Sequence, residues 1–285
     1  MSGADMGEEE VSRFWVTRPG QPIPQEARDE TDRVKRELDR LEALGDDSAC
    51  RLCAERRKLT REHAPSKAAG NRGRMIEGTV DTDASAVSGL LSWKGKTTEG
   101  AVFRSLCGVC NNLTGSWYNP AYVAFTRWCT RLVRPELAGQ RLEFDVALYR
   151  QRIAKQALTS IVATSQPGLT TAYPSLRQVI RSKDGGKLDS PLRLWLYLRA
   201  NRDPLGMVTG VCAMMNHDRK RGQLVAGFCF GPLGWILTLG DVPLEESVDV
   251  SLWTEFDYHD KRLTRISVPC RWALTTYPGD FRTPE

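Results

Sequence analysis

The chain has 285 residues, of which 41% are hydrophobic and 26% are charged, and its formal net charge is +5. This is the composition of an ordinary soluble globular protein, and no window approaches the ~18 consecutive apolar residues that a membrane-spanning helix needs. The mild positive charge permits contacts with nucleic-acid phosphates but does not require them.

The first ten residues, MSGADMGEEE, are small and acidic. Such a start is unlike a secretory leader or a transit peptide. We therefore expect a cytoplasmic protein that has no membrane association and keeps its thiols reduced. Residues 1–20 are predicted to be disordered or loosely packed.

Three longer helices are predicted after this segment. The first covers 23–45, where Pro24 suits the first turn, apolar residues recur at helical spacing and Gly45 supplies a left-handed C-terminal cap. Its alternating charges are typical of a solvated face, or of a contact with a second subunit in a homodimer. The second helix begins with Asn119 as N-cap and Pro120 at the first helical position. The third covers 149–162, and a short helix follows near 176–181.

The character of the sequence changes after the polar, glycine-containing loop 182–191. Short apolar or alternating runs, separated by turn residues, then predict β-strands at 192–200, 207–215, 223–231, 234–240, 248–256 and 263–269. We therefore predict an α+β fold with a boundary near 135–148. A cysteine-bearing domain with a leading helix occupies 21–140, and a helix plus a mostly antiparallel β domain of unknown role occupies 141–285.

Two Cys-x-x-Cys pairs stand in the N-terminal half, CRLC at Cys50 and Cys53 and CGVC at Cys107 and Cys110. Each short turn presents two sulfurs to one ion, which is the usual way to hold a structural zinc with four thiolates. The pairs are farther apart than the ~15–20 residues of the simple four-cysteine pattern. The zinc would therefore hold together the two ends of a long excursion, the chain segment between the pairs. A redox role would require one pair to act alone with a lowered thiol pKa.

Two polar tracts accompany these cysteines. LTREH, with Glu62 and His63, follows the first pair, and Asn111 and Asn112 come directly after the second. Arranged as CxxC…LTxEHxP…CxxCNN, residues 48–118 resemble the zinc-containing, four-cysteine branch of the HNH, or ββα-metal, endonucleases, which includes restriction-type and endonuclease VII-like enzymes. The resemblance implies a treble-clef-like, zinc-stapled nuclease module in which a histidine lies on the first strand and an asparagine near the start of the helix.

The resemblance also implies a reaction, the metal-dependent hydrolysis of phosphodiester bonds in DNA. His63 would activate the water, because a neutral imidazole is suited to take a proton near pH 7. Glu62 and Asn111 would hold a catalytic Mg²⁺ or Mn²⁺, which prefers oxygen ligands. Neighbouring residues on a strand point to opposite faces, so a bulge or strand end is expected where Glu62 and His63 share one site.

The chain departs from the family pattern at two points. It has Glu62 where many members have aspartate, and no additional histidine follows Asn111, since His217 and His259 are distant in the sequence. Asn112, Asn119 or a water would then complete the site. The alternative is a catalytically inactive zinc-stapled module that binds nucleic acid or protein. A nucleobase deaminase is excluded, because its H-x-E and P-C-x-x-C signatures are absent.

Basic residues between His63 and Cys107 are candidates for phosphate binding, although a flexible basic loop would have the same composition. They are Lys67, Arg72, Arg74, Lys94, Lys96 and Arg104. Trp117 and Tyr118 would either stack on a base or fill the small core beside the zinc. DNA is the expected partner, and a role in restriction or phage defence is an expectation by analogy alone.

Overall fold

The computed structural model describes residues 25–72, 75–80, 91–97, 100–200, 206–215, 221–240, 242–244 and 246–272, with the backbone alone for 75–80, 91–97 and 215. The segment 1–20 lies outside these residues. Within them, helices and a large, mostly antiparallel sheet form a mixed fold, which confirms the predicted α+β class. No helix in the described part of the chain has the length and apolarity needed to cross a membrane.

Six α-helices occur in the described ranges: α1 Gln25–Ala43, α2 Gly108–Trp117, α3 Asn119–Leu132, α4 Arg150–Thr164, α5 Leu169–Ala172 and α6 Pro174–Arg181. The N-terminal strands are β1 Leu59–His63, β2 Met75–Val80, β3 Leu91–Thr97 and β4 Val102–Cys107. The later strands are β5 Gln140–Leu148, β6 Leu192–Arg199, β7 Met207–Met215, β8 Gly222–Phe230, β9 Leu233–Leu239, β10 Val248–Asp249 and β11 Arg262–Arg271.

The predicted helix ends need two corrections. Gly45 does not take the left-handed conformation, and its N–H instead donates to the carbonyl of Glu42 at 3.0 Å in a tight last turn. Asn119 is the first residue of α3 rather than its N-cap, and Tyr118 occupies the cap position without a side-chain bond. The helix itself was expected because Pro120 fits the first turn, where no helical N–H bond is lost.

The large sheet has the strand order β5-β11-β6-β9-β8-β7, and the short β10 pairs with β6. Helix α4 lies at the centre of the molecule: every residue from 153 to 164 is buried, and the helix contacts α2, α3 and β4 as well as strands β7, β8 and β9. One hydrophobic cluster extends from Val34 to Cys270. The core is therefore continuous across the expected boundary at 135–148, and the division into two domains stays a prediction.

Two segments of the β-rich part differ from expectation. The strand expected at 248–256 is limited to β10, because the N–H and hydroxyl of Ser251 both bond to Oδ1 of Asp249, and this turn leads into a 3-10 helix at Ser251–Glu255. Strand β5 was not predicted. Its alternation of Leu142, Phe144, Val146 and Leu148 is the pattern of a half-buried strand and would have identified it.

A small two-stranded sheet precedes α2. Strands β1 and β4 are antiparallel, with a register shift between Thr60 and Arg61, and β4 runs directly into α2 at Gly108. A bulge or strand end was expected if Glu62 and His63 share one site. The register shift is such an irregularity, but it lies before Arg61 rather than between those two residues. His63 is the last residue of β1.

The long excursion between β1 and β4 is fastened at its base by Asn71, which is fully buried. The Asn71 amide donates to the carbonyls of Pro65 at 2.7 Å and Ala101 at 2.9 Å, and its Oδ1 accepts from the N–H of Ala101 at 2.7 Å. Gly100 has a φ of +79°, and an added Cβ there would meet Asn71 Oδ1. The two ends of the excursion are thus held together by one side chain.

Candidate functional site

The four cysteines of the two Cys-x-x-Cys pairs come together in one buried group. Their sulfur atoms all lie within 4.8 Å of one another, and the Sγ atoms of Cys53 and Cys107 are 4.0 Å apart. Four thiolates around a zinc ion at ~2.3 Å place neighbouring sulfurs about 3.8 Å apart. The group could therefore hold a metal ion such as zinc. All eight cysteines are free thiols, and Cys129, Cys229 and Cys270 are buried in the hydrophobic core.

The backbone around the first pair forms a tight loop that presents both sulfurs. The N–H of Cys50 donates to the carbonyl of Glu55 at 2.9 Å, and the N–H of Ala54 donates to the carbonyl of Cys50 at 2.7 Å. Ala54 takes a positive φ of 58° to close this loop. The N–H of Cys107, at the end of β4, bonds to Sγ of Cys50 at 3.3 Å, so the second pair is aligned on the first.

The thiols of this group do not ionise together. A hydrogen bond from Cys110 lowers the pKa of Cys50, while the same bond, with burial, raises the pKa of Cys110. Burial also raises the pKa of Cys53. Four thiolates so close together require a cation to offset their mutual repulsion, and metal binding releases the protons.

A cleft of about 370 Å³ lies beside the four-cysteine group. Glu62, His63 and Asn111, the three residues for which a role in catalysis was expected, all line it. Strand β1 supplies the first two, and the first turns of α2 supply the third. The rest of the lining comes from Arg61, Ala64, Ser66, Lys67, Thr114, Gly115, Asn119, Gln156, Thr159, Ser160 and Ala163.

Glu62 is only 8% exposed, and its carboxyl group is held by the strand opposite. Oε1 accepts a hydrogen bond from the Ser105 hydroxyl at 2.6 Å and another from the N–H of Leu106 at 3.1 Å. Burial raises the pKa of Glu62 to about 7, and these two bonds oppose the rise. Near neutral pH the group is therefore poised between its neutral and charged forms.

Asn111 is held by Thr60, at the opposite end of β1 from His63. Its Nδ2 donates to Oγ1 of Thr60 at 3.2 Å, and the Thr60 hydroxyl donates to the carbonyl of Leu106 at 3.0 Å. The hydroxyl proton of Thr60 is thus committed to Leu106, so this oxygen can only accept from Asn111. The side-chain carbonyl of Asn111 remains as the group that can act in the cleft.

Among the expected phosphate-binding residues whose side chains are described, Lys67 is the one that lines the cleft. Lys67 is exposed and lines it, whereas Arg72 is exposed with its Nε donating to the carbonyl of Lys67 at 3.1 Å. Arg104 is exposed on β4, directly across from Arg61. Arg74 lies outside the described residues, and Lys94 and Lys96 belong to β3, for which only the backbone is described.

The remaining residues considered from the sequence lie elsewhere. His259 is exposed and does not line the cleft, and His217 is outside the described residues. Tyr118 is fully buried, and its hydroxyl donates to the carbonyls of Ile180 and Ser182, so it is a core residue. Trp117 meets it edge to face.

Sequence reasoning missed two contributions to the cleft. Arg61 stands inside the LTREH tract and was a detectable basic residue. Gln156, Thr159 and Ser160 come from α4, in the region assigned to a separate domain. No sequence signal joined them to the cysteine-bearing segment, because only tertiary packing brings α4 beside α2.

Comparison of the chain with models of protein families, with curated proteins and with solved structures found no match.

Proposed function

We propose that the chain is a metal-dependent endonuclease of the HNH type, which hydrolyses phosphodiester bonds in DNA. One observation carries the proposal: Glu62 and His63 on β1 line the same cleft as Asn111 on α2, the helix that follows the antiparallel pair β1 and β4. Those residue types on a ββα arrangement agree with the module that the sequence resembles. The proposal includes a zinc ion on Cys50, Cys53, Cys107 and Cys110 in a structural role, because four thiolates leave no open position for a water.

The oxygen groups of the cleft suit a hard divalent cation. Glu62 and Asn111 would hold Mg²⁺ or Mn²⁺, and several buried polar oxygens of the cleft have no hydrogen-bond partner among the described residues. Such an ion would polarise the scissile phosphate and stabilise the leaving oxygen. Exposed Arg61 and Lys67 bind neighbouring phosphate oxygens. His63, at the end of β1, accepts the proton of the attacking water on an unprotonated imidazole nitrogen.

Plasmid cleavage by the zinc-loaded chain in Mg²⁺ or Mn²⁺ tests this function. We expect His63→Ala to lower the rate about 10²–10⁴-fold, the contribution typical of a general base. His259→Ala is the matched control, because His259 is exposed and outside the cleft. Equal nicking by wild type and His63→Ala, or no cleavage of any form of DNA by either, would contradict the proposal.

One observation favours the alternative, a zinc-stapled binding module without catalysis. Glu62 is buried and engaged by Ser105 and Leu106, and its raised pKa reduces its charge at neutral pH. That is how a structural carboxyl group behaves. This alternative predicts salt-sensitive DNA binding that His63→Ala leaves unchanged, without cleavage in any divalent metal.

A further inference from the structure

Gln156 is a buried polar side chain without a partner. It lies on α4, is 7% exposed and lines the cleft together with His63 and Asn111. Its Oε1 has no hydrogen-bond partner among the described residues. Buried polar groups in folded proteins are nearly always hydrogen-bonded, so this oxygen calls for an explanation.

The buried hydroxyls that α2 and α4 contribute to the cleft are satisfied within those helices. The Thr159 hydroxyl donates to the carbonyl of Lys155 at 2.7 Å, that of Ser160 to the carbonyl of Gln156 at 3.1 Å, and that of Thr114 to the carbonyl of Cys110 at 3.0 Å. They need no ligand.

Two more residues that line the same cleft have a buried side-chain oxygen without a hydrogen-bond partner in the described part of the chain. Oδ1 of Asn119, on the first turn of α3, and Oγ of Ser66, after the end of β1, are buried and have no partner among the described residues. Three separate parts of the chain that line one cleft therefore each carry a buried oxygen without a partner among the described residues. Convergence of this kind points to a ligand that accepts electron pairs from oxygen.

The chemistry of the cleft selects the ligand. Its acidic group is Glu62, and the Asn111 amide nitrogen is already committed to Thr60, which leaves a carbonyl oxygen. Carboxylate and carbonyl oxygens are the ligands that Mg²⁺ and Mn²⁺ take, directly or through their waters. We infer that Gln156, supported by Asn119, supplies oxygen to the divalent cation of the cleft. This inference rests on the proposed function, because it names further residues of the same site.

The assignment has a consequence for the extent of the site. Gln156 belongs to α4, whose neighbours include strands β7, β8 and β9 of the large sheet. Residues 48–118, which carry the family resemblance, would then hold only part of the cation site. The remainder comes from Asn119 on α3 and from Gln156 on α4, the helix that follows β5.

Mn²⁺ binding to the zinc-loaded full chain, measured by the loss of the free-ion electron paramagnetic resonance signal, tests the inference without DNA. We expect Gln156→Leu to weaken Mn²⁺ binding about 10–100-fold, the range found when groups supporting a metal are removed. Gln156→Glu, which keeps the size and adds a charge, should tighten it. Gln140→Glu is the control for added charge, since Gln140 is exposed on β5. Thermal unfolding checks that each variant is folded.

The outcomes separate this inference from the function on which it rests. Unchanged Mn²⁺ affinity in folded Gln156→Leu and Gln156→Glu would overturn the inference. A loss of DNA affinity with Mn²⁺ affinity intact would also overturn it, because Gln156 would then contact the nucleotide rather than the cation. Absence of any Mn²⁺ site in the wild type would overturn the inference and the proposed ion together. Shifted Mn²⁺ affinities without DNA cleavage would support the inference and remove the nuclease function.

Discussion

The side-chain amide of Asn111 donates to the hydroxyl oxygen of Thr60 at 3.2 Å, which fastens the first turns of α2 to β1. Because the same hydroxyl donates to the carbonyl of Leu106, the contact also ties both to the end of β4. The orientation of Asn111 in the cleft therefore depends on a residue that does not itself line it.

Removal of the Thr60 hydroxyl should misorient Asn111. We expect Thr60→Val to lower DNA cleavage about 10-fold and the free energy of unfolding by about 1 kcal/mol, the net value of a hydrogen bond. Thr60→Ser should restore both. Thr130→Val is the control, because the Thr130 hydroxyl bonds only within α3 and its loss should cost stability without affecting cleavage. Equal cleavage by Thr60→Val and wild type would show that Asn111 needs no such support.

Loss of one cysteine of the four-cysteine group should remove the metal. For Cys107→Ser we expect zinc content to fall from about one ion per chain and stability to fall by at least about 3 kcal/mol, since structural zinc supplies about 10–16 kcal/mol in zinc-finger peptides. Cys129→Ala changes an equally buried thiol outside the group and should keep the zinc. Elemental analysis and chemical unfolding measure both quantities. A wild-type chain purified without zinc would contradict this prediction.

The exposed pair Arg61 and Arg104 should contribute to DNA binding. They are exposed and directly opposite on β1 and β4, so that one phosphate group could contact both side chains. Replacement of either by alanine should weaken DNA binding in Ca²⁺ and reduce the slope of log affinity against log salt by about 1. The control is Arg265→Ala, because Arg265 is exposed on the large sheet and is paired with Glu143. This variant should leave the slope unchanged. Identical slopes for all the variants would remove this surface from the interface.

Buried Lys155 should make stability depend on pH. Burial lowers its pKa from 10.5 to about 8, against the opposing effect of Asp184, while its Nζ donates to the carbonyls of Ser182 and Asp184. Between these two pKa values the unfolded chain binds more protons than the folded chain, so stability relative to Lys155→Met should rise with pH, by up to about 1.4 kcal/mol per unit. Chemical unfolding of both proteins from pH 7.5 to 10 measures the difference. Parallel curves would contradict it.

Local sequence signals predicted much of the fold. Proline in a first turn and apolar residues at helical spacing marked α1, α3 and α4, and runs of β-forming residues marked β6 to β9 and β11. These signals act within a few residues of chain. Asn119 shows their limit: an asparagine before proline favours an N-cap, but in the structure Asn119 is the first residue of α3, and its side-chain oxygen caps nothing among the described residues.

The candidate site was predictable only where its residues lie near the cysteine pairs. Glu62, His63 and Asn111 could be selected because they flank metal-type cysteines in a fixed order. Gln156 could not, since one glutamine on a helix has many uses and only the packing of α4 against α2 gives it this position. The burial of Glu62 is likewise a product of tertiary structure, set by the strand that carries Ser105.

Asn71 closes the base of the excursion between β1 and β4 with three hydrogen bonds. With that base fastened, the length and composition of the hairpin β2–β3 can change while the cysteine pairs and His63 keep their spacing, because longer loops add little closure entropy. The segment between β1 and β4 is thus a position where the chain can gain or lose residues while the four-cysteine group and the cleft keep their geometry.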